Sequence, residues 1–243
     1  MAAERRDSKR AAGERCKSTS LASTASAECL LVQFAREPVP GQVKTRLIPH
    51  LSAAQACEIH VELLRWTATQ LLQADLGAVQ LHVAGAIDHP VFTQQLQAGV
   101  AALVAQSGRD LGERMAVALA AGLQSARKVL LVGSDCPAMT PAYLHVASSA
   151  LEHNELVIGP AQDGGFVLIG LSRDAATDAL NALFADVAWG SETVLASTIA
   201  NAQRLAMPYA LLPTLADIDR PGDLAHWEAI SGRLCRGRPT GRG

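Results

Sequence analysis

Between residues 29 and 230 short apolar runs rich in Val, Leu and Ile alternate with longer amphipathic segments, and few folds accept that alternation. It is the mark of βαβ units, in which helices cover both faces of a largely parallel sheet. Residues 29–34 predict the first strand, buried on both faces because the apolar run is unbroken. A loop broken by Pro38, Pro40 and Gly41 follows. Ser52 with Gln55 three positions on reads as a capping box, and Ala56, Ile59, Leu63 and Trp66 line one face of a helix predicted to reach about Asp75. Further strands are predicted at 79–84, 101–106, 129–132, 156–158, 166–171 and 209–212. Helices are predicted at 91–97, behind the box Asp110-x-x-Glu113, behind Thr140-Pro141, from Ser191, and at 221–230.

A chain of 243 residues that is 49% hydrophobic and 18% charged has the material for one well-packed domain, which excludes a globally disordered protein. No apolar run approaches the ~20 residues needed to cross a bilayer. The net charge of -2 conceals a division. Residues 1–27 carry six basic and three acidic side chains, and residues 233–243 carry four arginines and no acid. The remaining 28–232 hold eleven basic and twenty acidic residues, which argues against a nucleic-acid groove there. We therefore expect a disordered leader at 1–27, one folded domain at 28–232 and a disordered basic tail at 233–243. Five cysteines without a Cys-x-x-Cys pair fit a reducing cytoplasm.

In open α/β sheets ligands bind beyond the carboxyl ends of the strands, so the loops there carry the functional reading. The first runs from Ala35 to Arg46 and places Lys44 and Arg46 in a segment shaped by Pro40 and Gly41. Such a loop suits phosphate: freed backbone N–H groups face the anion, Lys supplies a point charge and Arg a planar fork. A Walker loop is disfavoured because its second glycine is missing. A solvated basic pair is the alternative. The second loop, Gly133-Ser134-Asp135-Cys136-Pro137, sets one carboxylate directly after a strand, where it fits a divalent metal bridging to phosphates. Thr140 already caps the next helix, which frees Asp135 from that role. The third, Gly159 to Phe166, carries Asp163, Gly164 and Gly165, and is equally the composition of a hairpin turn. Gly108, Asp110 and Gly112 read as a ligand-facing helix start or as capping alone. Asp217 and Asp219 offer a second metal ligand or a helix start, and Trp189 a stacking platform or a core plug.

In order, these segments resemble a family. Residues 34–47, 106–115, 133–137, 159–166 and 217–224 are similar to those of glycosyltransferase-A-like bacterial proteins of the radical-SAM/selenodomain-associated transferase 1 type, and more faintly to 2-phospholactate guanylyltransferase and the molybdenum-cofactor nucleotidyltransferases. The resemblance implies a three-layer α/β/α nucleotide-diphospho-sugar transferase fold, Rossmann-like, with a mostly parallel sheet. It also implies phosphate contacts from the Pro40, Gly41, Lys44 and Arg46 loop, a Mg2+ or Mn2+ ion on Asp135, and Asp163 with Gly164 and Gly165 facing the acceptor or sugar. Two departures stand out: Phe166 occupies a position where relatives often carry Tyr, and Ser134-Asp135-Cys136 is not an Asp-x-Asp. The expected activity is metal-dependent transfer from a nucleotide-activated donor to a small-molecule acceptor. Lys44 would stabilise leaving-group charge and Asp163 would serve as base. Glycosyl transfer from an NDP-sugar, nucleotidyl transfer from an NTP to a phosphorylated acceptor, and a non-catalytic nucleotide-binding module are the three versions.

Overall fold

The structure, a computed structural model, describes residues 27–48, 50–175 and 179–232. The expected tail, and the leader apart from Ala27, lie outside the described residues. Seven strands form one sheet: β1 (Ala27–Arg36), β2 (Gly77–Ala84), β3 (Ala102–Ala105), β4 (Ala126–Val132), β5 (Leu156–Pro160), β6 (Phe166–Ser172) and β7 (Tyr209–Leu211). Their spatial order is β3-β2-β1-β4-β6-β5-β7. All neighbours are parallel except β6, which runs against both β4 and β5. The expected α/β class with a mostly parallel sheet is therefore what forms.

Alternation along β1 explains the layers. Cys29 and Leu31 point into one apolar cluster, Leu30 and Val32 into another, and all four are buried. The first face is covered by α1 (Ala53–Ala74), α2 (Pro90–Gln97) and α4 (Pro141–Ala150), through Leu64, Leu71, Phe92 and Leu144. The second face is covered by α3 (Leu111–Ser125), α5 (Leu180–Leu183) and α6 (Val194–Arg204), through Leu119, Leu183 and Ala202. A third cluster joins the outer side of α1 to α7 (Leu224–Ser231), where the rings of Trp66 and Trp227 meet edge-on at 5.8 Å. Burial of a side chain the size of Trp227, which is 2% exposed, is worth several kcal/mol, so α7 is firmly held.

The three predicted caps form: Ser52 and Gln55 make the reciprocal box of α1, Asp110 accepts from Glu113 N at the start of α3, and Thr140 accepts from Tyr143 N at the start of α4. Ser191 does not open a helix. Its hydroxyl donates to the Ala188 carbonyl and accepts from Thr193 N, which closes a turn, and α6 starts three residues later. The closing helix starts as a 3-10 turn, Pro221–Asp223, before α7. The capping carboxylate there is Asp223, which accepts from Asp219 N and Arg220 N, so Asp219 is not the helix start. The four residues of α5 are too few to show a helical period in sequence. Among the described residues no helix is long and apolar enough to cross a membrane.

The strand order fixes where a ligand fits. The chain leaves β1 to build β2 and β3 on one side and returns to β4 on the other, so the loops after β1 and β4 diverge. A crevice opens at that switch point.

Candidate functional site

The crevice is a cleft of about 530 Å³, within the range that holds small ligands. Its floor is the end of β1, and the loops after β1, β2 and β4 and the start of α3 wall it in. Gly133, Ser134 and Asp135 lie along one wall. They are fixed from beneath: buried Gln33 donates to Ser134 Oγ (2.9 Å), and Ser134 Oγ donates to the Phe34 carbonyl (2.7 Å).

A strap from Leu215 to Asp219 gathers the other loops. Leu215 N donates to the Pro160 carbonyl (3.0 Å) and Gln162 N to the Leu215 carbonyl (3.1 Å), which ties in the turn carrying Asp163. Ile218 N donates to the Asp135 carbonyl (2.9 Å), and Cys136 Sγ donates to the Ala216 carbonyl (3.3 Å). Burial pushes the Cys136 thiol up to about 12, so it packs and bonds as a thiol. Lys44 Nζ then donates to the Ile218 carbonyl (2.5 Å) and pairs with Asp135 Oδ1 at 2.8 Å. Loops separated by 91 and 174 residues thus meet at one ammonium.

The pair is asymmetric. The Lys44 side chain is 4% exposed and that of Asp135 47% exposed. Lys44 is committed to protein rather than open to a ligand, and its left-handed backbone (φ 48°) turns it inward. Asp135 Oδ1 is closed off from solvent behind the ammonium, an ion-pair contact without an aligned hydrogen bond, while the rest of the carboxyl group faces the cleft. Arg46 is exposed and held by Asp219 (Nη1 to Oδ2, 2.5 Å), and its guanidinium lies in the field of Asp163 and Asp217.

Asp217, between the two anchored residues of the strap, is half-buried. Desolvation first, then the negative field of Asp163, raises its carboxyl above the usual range, and Lys44 offsets part of that. A carboxyl raised in the folded state contributes stability that is complete below its unfolded value and is lost as pH rises through the folded one. Asp217→Asn is therefore expected to raise Tm at pH 7, since it removes a carboxylate destabilised by desolvation first and by the field of Asp163 second. The gain should vanish at pH 3.5, and thermal unfolding across that interval measures both.

Other residues expected at the site are placed as follows. Pro40 and Gly41 occupy a turn closed by Gln42 N on the Val39 carbonyl (2.9 Å), and the φ of 83° at Gly41 is the conformation that turn requires. Asp163 Oδ1 accepts from Gly165 N (2.9 Å). Gly164 packs against the Glu192 backbone. Gly108, Asp110 and Gly112 serve the start of α3: Asp110 accepts from Glu113 N (2.9 Å), and Gly112 makes room for Trp189, whose added Cβ contact would be 2.8 Å. Trp189 packs between Phe166 and Phe184 and is partly buried. Of the residues expected at the site only Asp135 lines the cleft itself; Lys44 reaches it by pairing with Asp135, and Pro40, Gly41, Arg46, Asp163, Gly164, Gly165, Gly108, Asp110, Gly112 and Trp189 are not among its lining residues.

Several cleft residues carried no sequence signal of their own. Arg36, Gln106 and Arg114 lie inside segments already singled out but were not distinguished within them. His60 reads in sequence as one more residue on the buried face of α1. It donates from Nε2 to the Arg36 carbonyl (2.9 Å), and burial lowers its pKa, which keeps it neutral.

Among the described residues no group of three His, Cys, Asp or Glu is gathered as a ready metal cage. One exposed carboxylate oxygen beside a second acid nevertheless fits a hard divalent ion that takes most of its ligands from phosphate and water.

The sequence profile described as "Uncharacterized protein conserved in bacteria (DUF2064)" matches residues 67–191. No curated protein sequence matches the chain. Among solved structures, a candidate nucleotide-diphospho-sugar transferase from Desulfovibrio desulfuricans G20 is similar with a TM-score of 0.72 and 27% identity, over 83% of this chain and 88% of that one. The 4-diphosphocytidyl-2C-methyl-D-erythritol synthase of Anaerococcus prevotii DSM 20548 shares the fold at TM-score 0.58 and 11% identity, over 85% and 96%. A Mycobacterium tuberculosis H37Rv protein in complex with manganese does so at TM-score 0.50 and 19% identity, over 83% and 98%.

Proposed function

The chain belongs to the bacterial DUF2064 family, and from that premise we propose that it is a metal-dependent transferase of the nucleotide-diphospho-sugar transferase superfamily, moving a glycosyl group from an NDP-sugar to a small-molecule acceptor. The radical-SAM/selenodomain-associated type is the branch its motifs resemble. The observation that carries the reading is the ion pair of Lys44 with Asp135, which lines the cleft, with Asp217 in the field of both and Arg46 in the field of Asp217 and Asp163. Three cysteines buried as free thiols fit a cytoplasmic protein.

Each residue has a task in that reaction. Asp135 and Asp217 would hold Mg2+ or Mn2+, which neutralises phosphate charge. Arg46 leaves Asp219 for the leaving phosphates and grips them through its fork, since its side chain is exposed where that of Lys44 is buried. Lys44 stays behind Asp135 as a fixed positive charge in a poorly solvated position, where its field acts on charge as it develops. Asp163 has one oxygen bound to Gly165 N and the other free to take a proton from an acceptor hydroxyl.

One observation favours nucleotidyl transfer as a second reading. The positions flanking Asp135 are spent on structure, Ser134 on the Phe34 carbonyl and Cys136 on the Ala216 carbonyl, so no neighbouring acid helps grip a sugar nucleotide. Incubation with NDP-sugars and with NTPs plus phosphorylated acceptors, in Mg2+ and in Mn2+, separates the two by product. Free NDP is expected, pyrophosphate would select the second reading, and a nucleotide that binds tightly without product would select a binding module. An unchanged Tm with every nucleotide and metal would sink all three.

A further inference from the structure

Beyond Asp135 the cleft continues to the start of α3, where Gln106, Leu111 and Arg114 line it. Gln106 Nε2 donates to two backbone carbonyls, of Ala35 (3.3 Å) and His82 (2.9 Å). Because both partners are acceptors, the amide cannot be turned over, and its two N–H groups are used. Oε1 is the one group Gln106 has left to offer a ligand. Leu111, at the first position of α3, is 41% exposed although it sits in a cleft wall. Arg114, one turn on and on the same side of the helix, is anchored by Nε on the Gly108 carbonyl (3.2 Å), which leaves its Nη groups and planar face available. Gly133 also lines the cleft, and a Cβ placed on it would meet no atom within 4 Å, so the wall is open at that residue.

We propose that this end of the cleft is the nucleobase pocket, that Gln106 Oε1 selects bases carrying an amino group, and that Leu111 with Arg114 forms the platform under the ring. The inference rests on the nucleotide reading above, which sets the phosphates at Asp135 and Arg46 and so leaves the nucleoside the rest of the cleft. An exposed leucine and a planar guanidinium are what a flat aromatic ring covers well. A lone acceptor requires a donor on the base edge. Adenine, cytosine and guanine each present an N–H2 group. Uracil presents a single N–H flanked on both sides by carbonyl oxygens, which would crowd the oxygen of Gln106.

Titration calorimetry of the full chain with ATP, GTP, CTP and UTP in Mg2+ tests the assignment, alongside Gln106→Leu and Leu111→Asp. In the wild type at least one amino-bearing nucleotide should bind about tenfold more tightly than UTP, the scale of one hydrogen bond with its desolvation. Gln106→Leu should reduce that ratio to about one. Leu111→Asp, at an exposed position, should weaken every nucleotide about tenfold or more with an unchanged Tm. UTP bound as well as the others by the wild type, a preference that survives in Gln106→Leu, or full affinity in Leu111→Asp overturns the pocket while leaving nucleotide binding itself intact. Should Gln106→Leu fail to fold, the wild-type ratio and Leu111→Asp decide. Absence of binding by any nucleotide would instead overturn the reading on which the pocket rests.

Discussion

Replacing Asp135 with asparagine is expected to abolish metal-dependent nucleotide binding and to lower stability by about 1–3 kcal/mol, the cost of leaving a buried donor short of a partner. The first loss follows from removing an anionic oxygen that faces the cleft, and the second from what remains behind it. Lys44 is 4% exposed, and once Asp135 is neutral its ammonium keeps only the Ile218 carbonyl as a full partner. An uncompensated buried charge costs up to about 3–5 kcal/mol, and the half-exposed position of Asp135 puts this case below that range. From sequence the same carboxylate predicts loss of ligand with the fold intact, because nothing there reveals that Lys44 is buried against it. The double variant Lys44→Met with Asp135→Asn separates the effects: chemical denaturation should show most of the stability restored, while calorimetry with nucleotide and Mg2+ still shows no binding. If Asp135→Asn alone is as stable as the wild type, the ion pair does not hold the strap and the convergence at the cleft needs another explanation.

Features written in contiguous residues were legible. Strand and helix order, the caps Ser52 and Thr140, and the position of the loops beyond the strand ends follow from periodicity and local hydrogen bonding. The strap was not, since Leu215 to Asp219 acts through backbone bonds to Pro160, Gln162 and Asp135, and backbone bonds between distant loops leave no trace in side-chain identity. The same limit applies to Lys44. A lysine in a Pro/Gly loop has the same local sequence whether it reaches for phosphate or turns inward, and the left-handed backbone at Lys44 settles the matter only in three dimensions. Gln106 illustrates a third kind of gap. Its two donated bonds run to carbonyls brought together by pairing of β1 and β2, so the acceptor it presents exists only after the sheet has formed.

Gly164→Ala is expected to be the most damaging single methyl group at the site, and Gly190→Ala shows why. Both glycines have positive φ, 89° and 83°, so each alanine carries the ~1–2 kcal/mol strain of a left-handed backbone. At Gly190 a Cβ meets nothing within 4 Å, and the strain is the whole cost. At Gly164 it would overlap the Glu192 carbonyl, a backbone atom that cannot rotate away, and the Gly164 carbonyl itself accepts from Leu195 N (2.9 Å) at the start of α6. The turn must therefore move relative to α6, for a total of about 3–4 kcal/mol and a fall in Tm on the order of 10 °C. Asp163 moves with it, because its carboxylate is oriented by Gly165 N, and a displacement of ~1 Å in a positioned base lowers turnover on the order of a hundredfold. Nucleotide affinity should hold, since Asp135 and the cleft wall are also anchored from beneath at Ser134, and the strap is tied to the Asp163 turn at Pro160 and Gln162, ahead of Gly164. Paired thermal unfolding and calorimetry on the two alanine variants test this: equal Tm losses would remove the steric contact from the account, and loss of affinity in Gly164→Ala would mean that the Asp163 turn belongs to the nucleotide site and not to the acceptor side.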